Sequence, residues 1–233
     1  MQHGWKLTKR ELKQDDCYVV IAAYREEPRI ADVVHRVRRQ GYRHVVVVDD
    51  GSKDKTEQAA IRTGATVLRH IVNLGKGAAM KTGADYAKLH GAKALIFIDA
   101  DGQHKPENLP LFLKKLNEGY DIVFGSRQRT KTMPAMMRIG NWFFTTVVRL
   151  FYNIELHDVL SGYRAMSIQA YGIVRWNSRD YGVESEMIAR AGKNNLRYAE
   201  FDIATIYHDR YKGTTILDGI PLIVNLIWWR MTH

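Results

Sequence analysis

Val45-Val46-Val47-Val48-Asp49-Asp50-Gly51-Ser52 is the stretch on which the fold of this 233-residue chain turns. Four consecutive β-branched residues predict a strand buried on both faces, as at the centre of a parallel sheet rather than at a solvated edge. Working outward, Tyr18 to Ala23 reads as the strand before it. Ile30, Val33, Val34 and Val37 then recur at helical spacing, and Gly41 stops that helix. Beyond the valines, Thr66 to Leu68 and Ala94 to Ile98 read as strands, with a helix from Ala78 to Leu89 between them. After Pro106 the stripe Leu109, Phe112, Leu113 and Leu116 marks another helix, and Asp121 to Phe124 a fifth strand. This alternation predicts an α/β fold with a doubly wound, mostly parallel sheet. The expected organisation is a polar segment over 1–16, one domain over 17–213 with halves 17–125 and 126–213, and an apolar, amphipathic C-terminal tail over 214–233.

Lys and Arg number 35 against 25 Asp and Glu, a formal charge of +10 that favours polyanionic partners without choosing among nucleic acid, anionic lipid and phosphorylated substrates. The single cysteine, Cys17, excludes an internal disulfide, and the polar N-terminus lacks the apolar core of a signal peptide. A reducing, cytoplasmic setting is expected. No stretch reaches the roughly 20 apolar residues of a membrane span. Two segments suit a membrane surface instead. Met136 to Tyr152 places Ile139, Phe143, Val147, Leu150 and Phe151 on one helical face with Trp142 close by, which fits an interfacial helix and a core helix equally. Ile216 to Trp229 ends in Trp228-Trp229-Arg230 and reads as headgroup-level contact, oligomer contact or attachment to a membrane partner. Aliphatic strands that end in acids argue against a nucleic-acid-binding module.

In open parallel sheets ligands bind beyond the carboxyl ends of the strands. Three such ends carry polar clusters: Ala23-Tyr24-Arg25-Glu26-Glu27-Pro28, Asp49-Asp50-Gly51-Ser52-Lys53-Asp54 and Asp99-Ala100-Asp101-Gly102-Gln103-His104. In an extended segment Asp99 and Asp101 point the same way, so both carboxylates meet one hard cation, Mg²⁺ or Mn²⁺. The competing reading is that they cap the next helix. Burying Asp49 and Asp50 is costly unless a donor, such as a nucleobase N–H or ribose hydroxyl, meets them. Asp54 suits a cap for a helix starting near Thr56. Asn73-Leu74-Gly75-Lys76-Gly77 brings backbone amides and one cation near a phosphate, or is a plain strand-to-helix turn.

With Gly125-Ser126-Arg127 and Asp158-Val159-Leu160-Ser161-Gly162-Tyr163-Arg164 added, these motifs, in this order, resemble family 2 glycosyltransferases of the GT-A fold, above all the polyprenyl-phosphate sugar synthases of the dolichol-phosphate mannose synthase type. The resemblance spans roughly Tyr18 to Thr215. It implies a nucleotide-sugar donor held by Ala23, Tyr24, Glu26, Asp49, Asp50, Asn73, Gly75, Lys76, Asp99 and Ala100, and a metal surrounded by Asp99, Asp101 and Gln103. It further implies an acceptor phosphate met by Arg127, Ser161, Arg164 and Arg210, with Asp101 and Arg127 nearest the chemistry. Guanidinium forks independently suit phosphate. The implied acceptor is a polyprenyl phosphate, and the implied location is the cytoplasmic face of a membrane, reached directly or through an anchoring partner subunit.

Two departures stand out. Arg25 occupies a place where the family commonly has Asn, and Ile216 replaces a Lys after Arg210-Tyr211-Lys212-Gly213-Thr214-Thr215. Tyr181-Gly182-Val183-Glu184-Ser185-Glu186 resembles members that use other sugars, so both GDP-mannose and UDP-hexoses stay open. A sugar-hydroxyl acceptor is the alternative, and it would need Glu184 or Glu186 as base. Nucleotidyl transfer is disfavoured, because Tyr18 to Pro28 holds no glycine.

Overall fold

The computed structural model describes residues 11–127, 145–159, 161–180 and 182–204. Its centre is a seven-stranded sheet: β1 Cys17–Ala23, β2 His44–Asp49, β3 Thr66–Arg69, β4 Ala94–Phe97, β5 Ile122–Arg127, β6 Arg164–Ser167 and β7 Tyr198–Ile203. The spatial order is β3-β2-β1-β4-β6-β5-β7. Only β6 runs antiparallel, between β4 and β5, and the other pairings are parallel. The valine run lies inside, with Val45 to Val48 all buried between β1 and β3.

Helices cover both faces. On one side α1 (Ile30–Arg39) buries Ile30, Val33, Val34 and Val37, and α4 (Leu109–Asn117) buries Leu109, Phe112 and Leu116 against Val19, Ile21, Val45 and Val47. On the other, α3 (Lys76–Leu89), a helix whose described part is 145–152 (α5), α6 (Ile168–Val174) and α7 (Val183–Lys193) pack with Val20, Leu95, Phe97 and Phe124. The strand residues alternate between the two clusters, as the period-two geometry of a strand requires. At about 25 cal/mol per Å² of apolar area, each fully buried Val, Leu, Ile or Phe contributes on the order of 1.5–3 kcal/mol. Short α2 (Thr56–Ile61) closes the unit beside β3.

Where the apolar stripe was expected to run through Val147, Leu150 and Phe151, the structure divides it. Val147, Val148 and Tyr152 face the core, while Leu150 and Phe151 are exposed. Ile139, Trp142 and Phe143, together with the segments 1–10 and 205–233, lie outside the described residues. Among the described residues no helix is long and apolar enough to cross a membrane.

Candidate functional site

The carboxyl ends of β1, β2 and β4 converge on one polar floor. Strand β4 stops at Phe97, so Asp99 and Asp101 sit in the turn that follows, with Gly102 at φ +75°, rather than in an extended segment. The same-face argument from strand geometry therefore does not apply. What joins the two acids is the turn, in which Asp101 Oδ1 accepts the Gln103 amide at 2.9 Å. The capping alternative is not realised either. Pro106–Asn108 and α4 start without a side-chain cap bond.

Burial, and then the neighbouring charge of Asp99, push the Asp101 carboxyl above its ordinary range. Burial also pushes Asp99 up, but the Lys76 ammonium and then His104 outweigh it and leave Asp99 at about 2. Two crowded carboxylates are an oxygen-rich donor set of the kind that a hard divalent cation relieves, and in that respect the residues fit Mg²⁺ or Mn²⁺. His104 stacks on Tyr163 at 5.0 Å and its Nδ1 accepts the Asp99 amide at 3.4 Å, while burial lowers its pKa and so favours the neutral ring.

Lys76, the first residue of α3, reaches Asp99 Oδ1 at 2.8 Å and Glu184 Oε1 at 2.9 Å. Burial alone would favour the neutral amine, but the two acids reverse that and raise the pKa above its usual value. Gly162 packs against this bridge so closely that a Cβ there would stand 2.6 Å from Asp99 Oδ2 and 2.8 Å from Lys76 Nζ.

Of the two readings of the turn before Lys76, an anion cradle or a plain strand-to-helix turn, its hydrogen bonds favour the second. The Leu74 and Gly75 amides each donate to Asp50 at 2.9 Å, and the Ala78 amide donates to the Arg179 carbonyl at 3.0 Å. Gly75, at φ +97°, is needed because a Cβ would lie 2.3 Å from that same carbonyl oxygen. Asn73 is exposed. Asp50 therefore has protein donors and does not depend on an arriving ligand. Asp49 is the less saturated of the two: Oδ1 accepts the Ser52 amide at 3.2 Å, whereas Oδ2, in a side chain only 1% exposed, has no hydrogen-bond partner among the described residues and is met only by the Arg69 guanidinium, whose Nε stands 3.7 Å away.

Around this floor, Ala23 and Ala100 bury their methyl groups in the core, and the Ala23 carbonyl accepts the Asp50 amide at 2.8 Å. Tyr24 is exposed, with the Arg25 guanidinium 5.2 Å from its ring centroid. Arg25 holds a left-handed φ of +56°, a conformation in which Asn is several-fold enriched. Glu26 is buried, donates its amide to Thr56 Oγ1 at 2.9 Å and pairs with Arg29. Asp54 Oδ1 accepts from the Thr56 amide and hydroxyl, fastening the first turn of α2 from one position outside the cap residue.

In the second half, Arg127 forms a two-pronged pair with Asp158, Nε to Oδ2 at 2.6 Å and Nη2 to Oδ1 at 2.9 Å. Arg164 is fully buried, donates to the carbonyls of Glu184 and Ser161, and lies 5.4 Å from the Phe124 ring centroid. Burial lowers its pKa. The Arg164 Nε, Ser161 Oγ, Glu184 Oε2 and Ser185 Oγ find no hydrogen-bond partner among the described residues. Each buried group left so costs about 1–3 kcal/mol, a cost that a ligand would offset by bringing an acceptor to Arg164 Nε and a donor to Glu184 Oε2. Glu186 differs: Asn177, Ser178 and Arg190 occupy both its oxygens. Arg210 lies outside the described residues.

Sequence reasoning gave no role to His70, Asp158 or Gly162, nor any hint that Lys76 meets Glu184. Asp158 and Gly162 stood inside a recognisable motif. Lys76 and Glu184 are 108 positions apart, a pairing that only the tertiary fold reveals.

Residues 18–172 match the profile of the family described as Glycosyl transferase family 2. The chain is 38% identical to an uncharacterized protein of Methanocaldococcus jannaschii, with 93% of each covered. It is 30% identical to a UDP-N-acetylglucosamine–dolichyl-phosphate N-acetylglucosaminyltransferase of Methanococcus voltae, covering 92% of this chain and 96% of that one. The fold is similar to glucosyl-3-phosphoglycerate synthase from Mycobacterium tuberculosis in complex with Mn²⁺, UDP and phosphoglyceric acid, with a TM-score of 0.72, 20% identity, and coverage of 93% and 78%.

Proposed function

The chain belongs to glycosyl transferase family 2, and we propose that it transfers a hexosyl group from a nucleotide-sugar donor to a polyprenyl phosphate with inversion at the anomeric carbon. The observation that carries this reading is the crowded pair Asp99 and Asp101 at the mouth of β4, with Lys76 beside it and buried oxygens of Ser161 and Glu184 that lack a hydrogen bond among the described residues. A Mg²⁺ or Mn²⁺ held by Asp101 and Asp99, with Gln103 adjacent, would supply neutralisation of the charge on the departing diphosphate.

An acceptor phosphate oxygen forms the new bond to the anomeric carbon as the bond to the donor's β-phosphate oxygen breaks, and the electron pair departs with the nucleoside diphosphate. A lipid monophosphate has its second pKa near about 6, so it arrives largely anionic and needs no general base. The protein's tasks are alignment and electrostatics. Asp49 Oδ2 accepts from the nucleoside. Glu184 Oε2 accepts from a sugar hydroxyl and Ser161 Oγ donates to a phosphate oxygen, and the Arg164 guanidinium, with Arg127 paired to Asp158, lies on the acceptor side. Support for a lipid acceptor comes from the relative named for dolichyl phosphate and from the net charge of +10, which suits an anionic leaflet. The exposed Leu150 and Phe151 give α5 an apolar edge for the membrane surface.

A sugar-hydroxyl acceptor is the second reading, and it rests on Glu184 alone. The donors on Glu186 outweigh its burial and lower its pKa, which makes it a poor base. Incubating the protein with Mn²⁺, a polyprenyl phosphate and a panel of labelled GDP- and UDP-sugars tests both readings. A labelled lipid that forms with one donor establishes the reaction and names the sugar. Label passing only to a free sugar acceptor overturns the lipid reading.

A further inference from the structure

We propose that His70 is a positioning residue for donor binding, acting through Asp50 on the turn that begins α3. The part of this that concerns nucleotide rests on the glycosyl-transfer reading above. His70 follows β3, and its amide donates to the Asp49 carbonyl at 2.9 Å. Its ring spans two elements. Nδ1 stands 2.7 Å from Asp50 Oδ1, and Nε2 stands 3.0 Å from Thr82 Oγ1 on α3. An ionised carboxylate only accepts, so Nδ1 carries a proton and donates it to Asp50. Asp50 also takes the Leu74 and Gly75 amides, one on each oxygen.

The result is a closed circuit. It runs from His70 through Asp50 to the amides of Leu74 and Gly75, along α3 to Thr82, and back to the ring. Within it the chain from Ile71 to Leu74 is exposed, so apolar burial does little to hold this loop in place. The hydrogen bonds therefore tie down the loop side of the turn, while the Ala78 amide on the Arg179 carbonyl and the Trp176 indole on the Gly77 carbonyl hold its helix side, and between them stands Lys76, whose ammonium meets both Asp99 and Glu184. The order Asp50, His70, Thr82 matches the atom sequence of a nucleophile triad. Thr82, however, lies within α3 and spends its hydroxyl on the ring, so the circuit orders structure rather than attacking a substrate.

The experiment compares wild type with His70→Phe, which fills the space without a donor, and His70→Asn, which returns a donor near the position of Nδ1. Hydrogen exchange over residues 71–77 and the affinity for UDP and for GDP, each with Mn²⁺, are the readouts. In His70→Phe, exchange there is expected to rise by about tenfold or more and nucleotide affinity to fall by about tenfold, the scale of one lost charge-assisted hydrogen bond. The donor's KM should rise while kcat changes by less than about threefold. His70→Asn should recover most of each effect. Unchanged exchange in His70→Phe, or equal impairment in His70→Asn, overturns the proposal. Should His70→Phe fail to fold, Thr82→Val removes only the Nε2 partner and must show the same direction of change, or the proposal falls. Wild type that binds neither nucleotide counts against the glycosyl-transfer reading alone, because the exchange readout decides the role of His70 by itself.

Discussion

The ammonium of Lys76 stands 2.8 Å from Asp99 Oδ1, so the first residue of α3 carries the counter-charge of the acid that follows β4. Glu184 on α7 shares that ammonium, and three separate elements therefore depend on one cation.

Replacing Lys76 with Met leaves two largely buried carboxylates facing one another. Loss of one partner from such a cluster costs about 3 kcal/mol or more. Urea denaturation should show that loss. Adding Asp99→Asn to the same chain should restore stability in large part without restoring transfer. If the double variant is as unstable as Lys76→Met alone, the bridge is not what holds these elements.

Asp101→Asn keeps the shape of the side chain and removes its charge. Transfer should fall by on the order of 10²-fold or more, the scale of losing one electrostatic contact made to developing charge. The melting temperature should hold or rise, because the variant removes a charge that burial first, and then repulsion by Asp99, disfavour. Manganese binding, read by paramagnetic resonance, should weaken in parallel, and wild-type turnover in this variant would remove Asp101 from the metal site.

Glu186 is one of the carboxyls, with Asp99 and Asp85, that set the acid limb of stability. Burial pushes its pKa up, but the donors from Ser178, Asn177 and Arg190 outweigh that and bring it below 4.5. A carboxyl whose folded pKa lies below its unfolded value stabilises the fold above that unfolded value, and the contribution is lost as pH falls through the folded pKa. Stability should therefore decline as pH drops below about 4.5. Glu186→Gln should flatten that decline and lower stability at pH 7 by about 1–3 kcal/mol. Chemical denaturation at a series of pH values measures both effects.

Two glycines should respond in opposite directions to alanine. At Gly75 a Cβ meets the Arg179 carbonyl oxygen at 2.3 Å on a backbone at φ +97°, and destabilisation of about 2–3 kcal/mol is expected. At Gly172, within α6, a Cβ meets nothing within 4 Å. There the gain in helix propensity should stabilise the protein by up to about 1 kcal/mol. Thermal melts of the two variants should move apart.

The first five strands were legible chiefly from their apolar runs and the helices between them from their stripes: four valines in β2, and Ile30, Val33, Val34 and Val37 in α1. Strands β6 and β7 were not. Arg164-Ala165-Met166-Ser167 has only two apolar residues between an arginine and a serine, and Tyr198–Ile203, at the sheet edge, carries Glu200 and Asp202 among its apolar residues. An antiparallel insertion between β4 and β5 is decided by long-range pairing, which no local pattern encodes.

Local sequence by itself determined which acids gather at the strand ends, because a buried aliphatic strand that runs into Asp49-Asp50 or Asp99-Ala100-Asp101 must deliver those carboxylates to the rim of the sheet. The tertiary structure alone decided how each carboxylate is used. Asp50 is consumed by the Leu74 and Gly75 amides, Asp49 keeps a buried oxygen that only the Arg69 guanidinium approaches among the described residues, and Asp99 takes the ammonium of Lys76. The physical reason is that a carboxylate's role is set by the donors within about 3 Å of it. In this fold the donors to Asp50 and the ammonium on Asp99 come from segments 20 or more residues away along the chain.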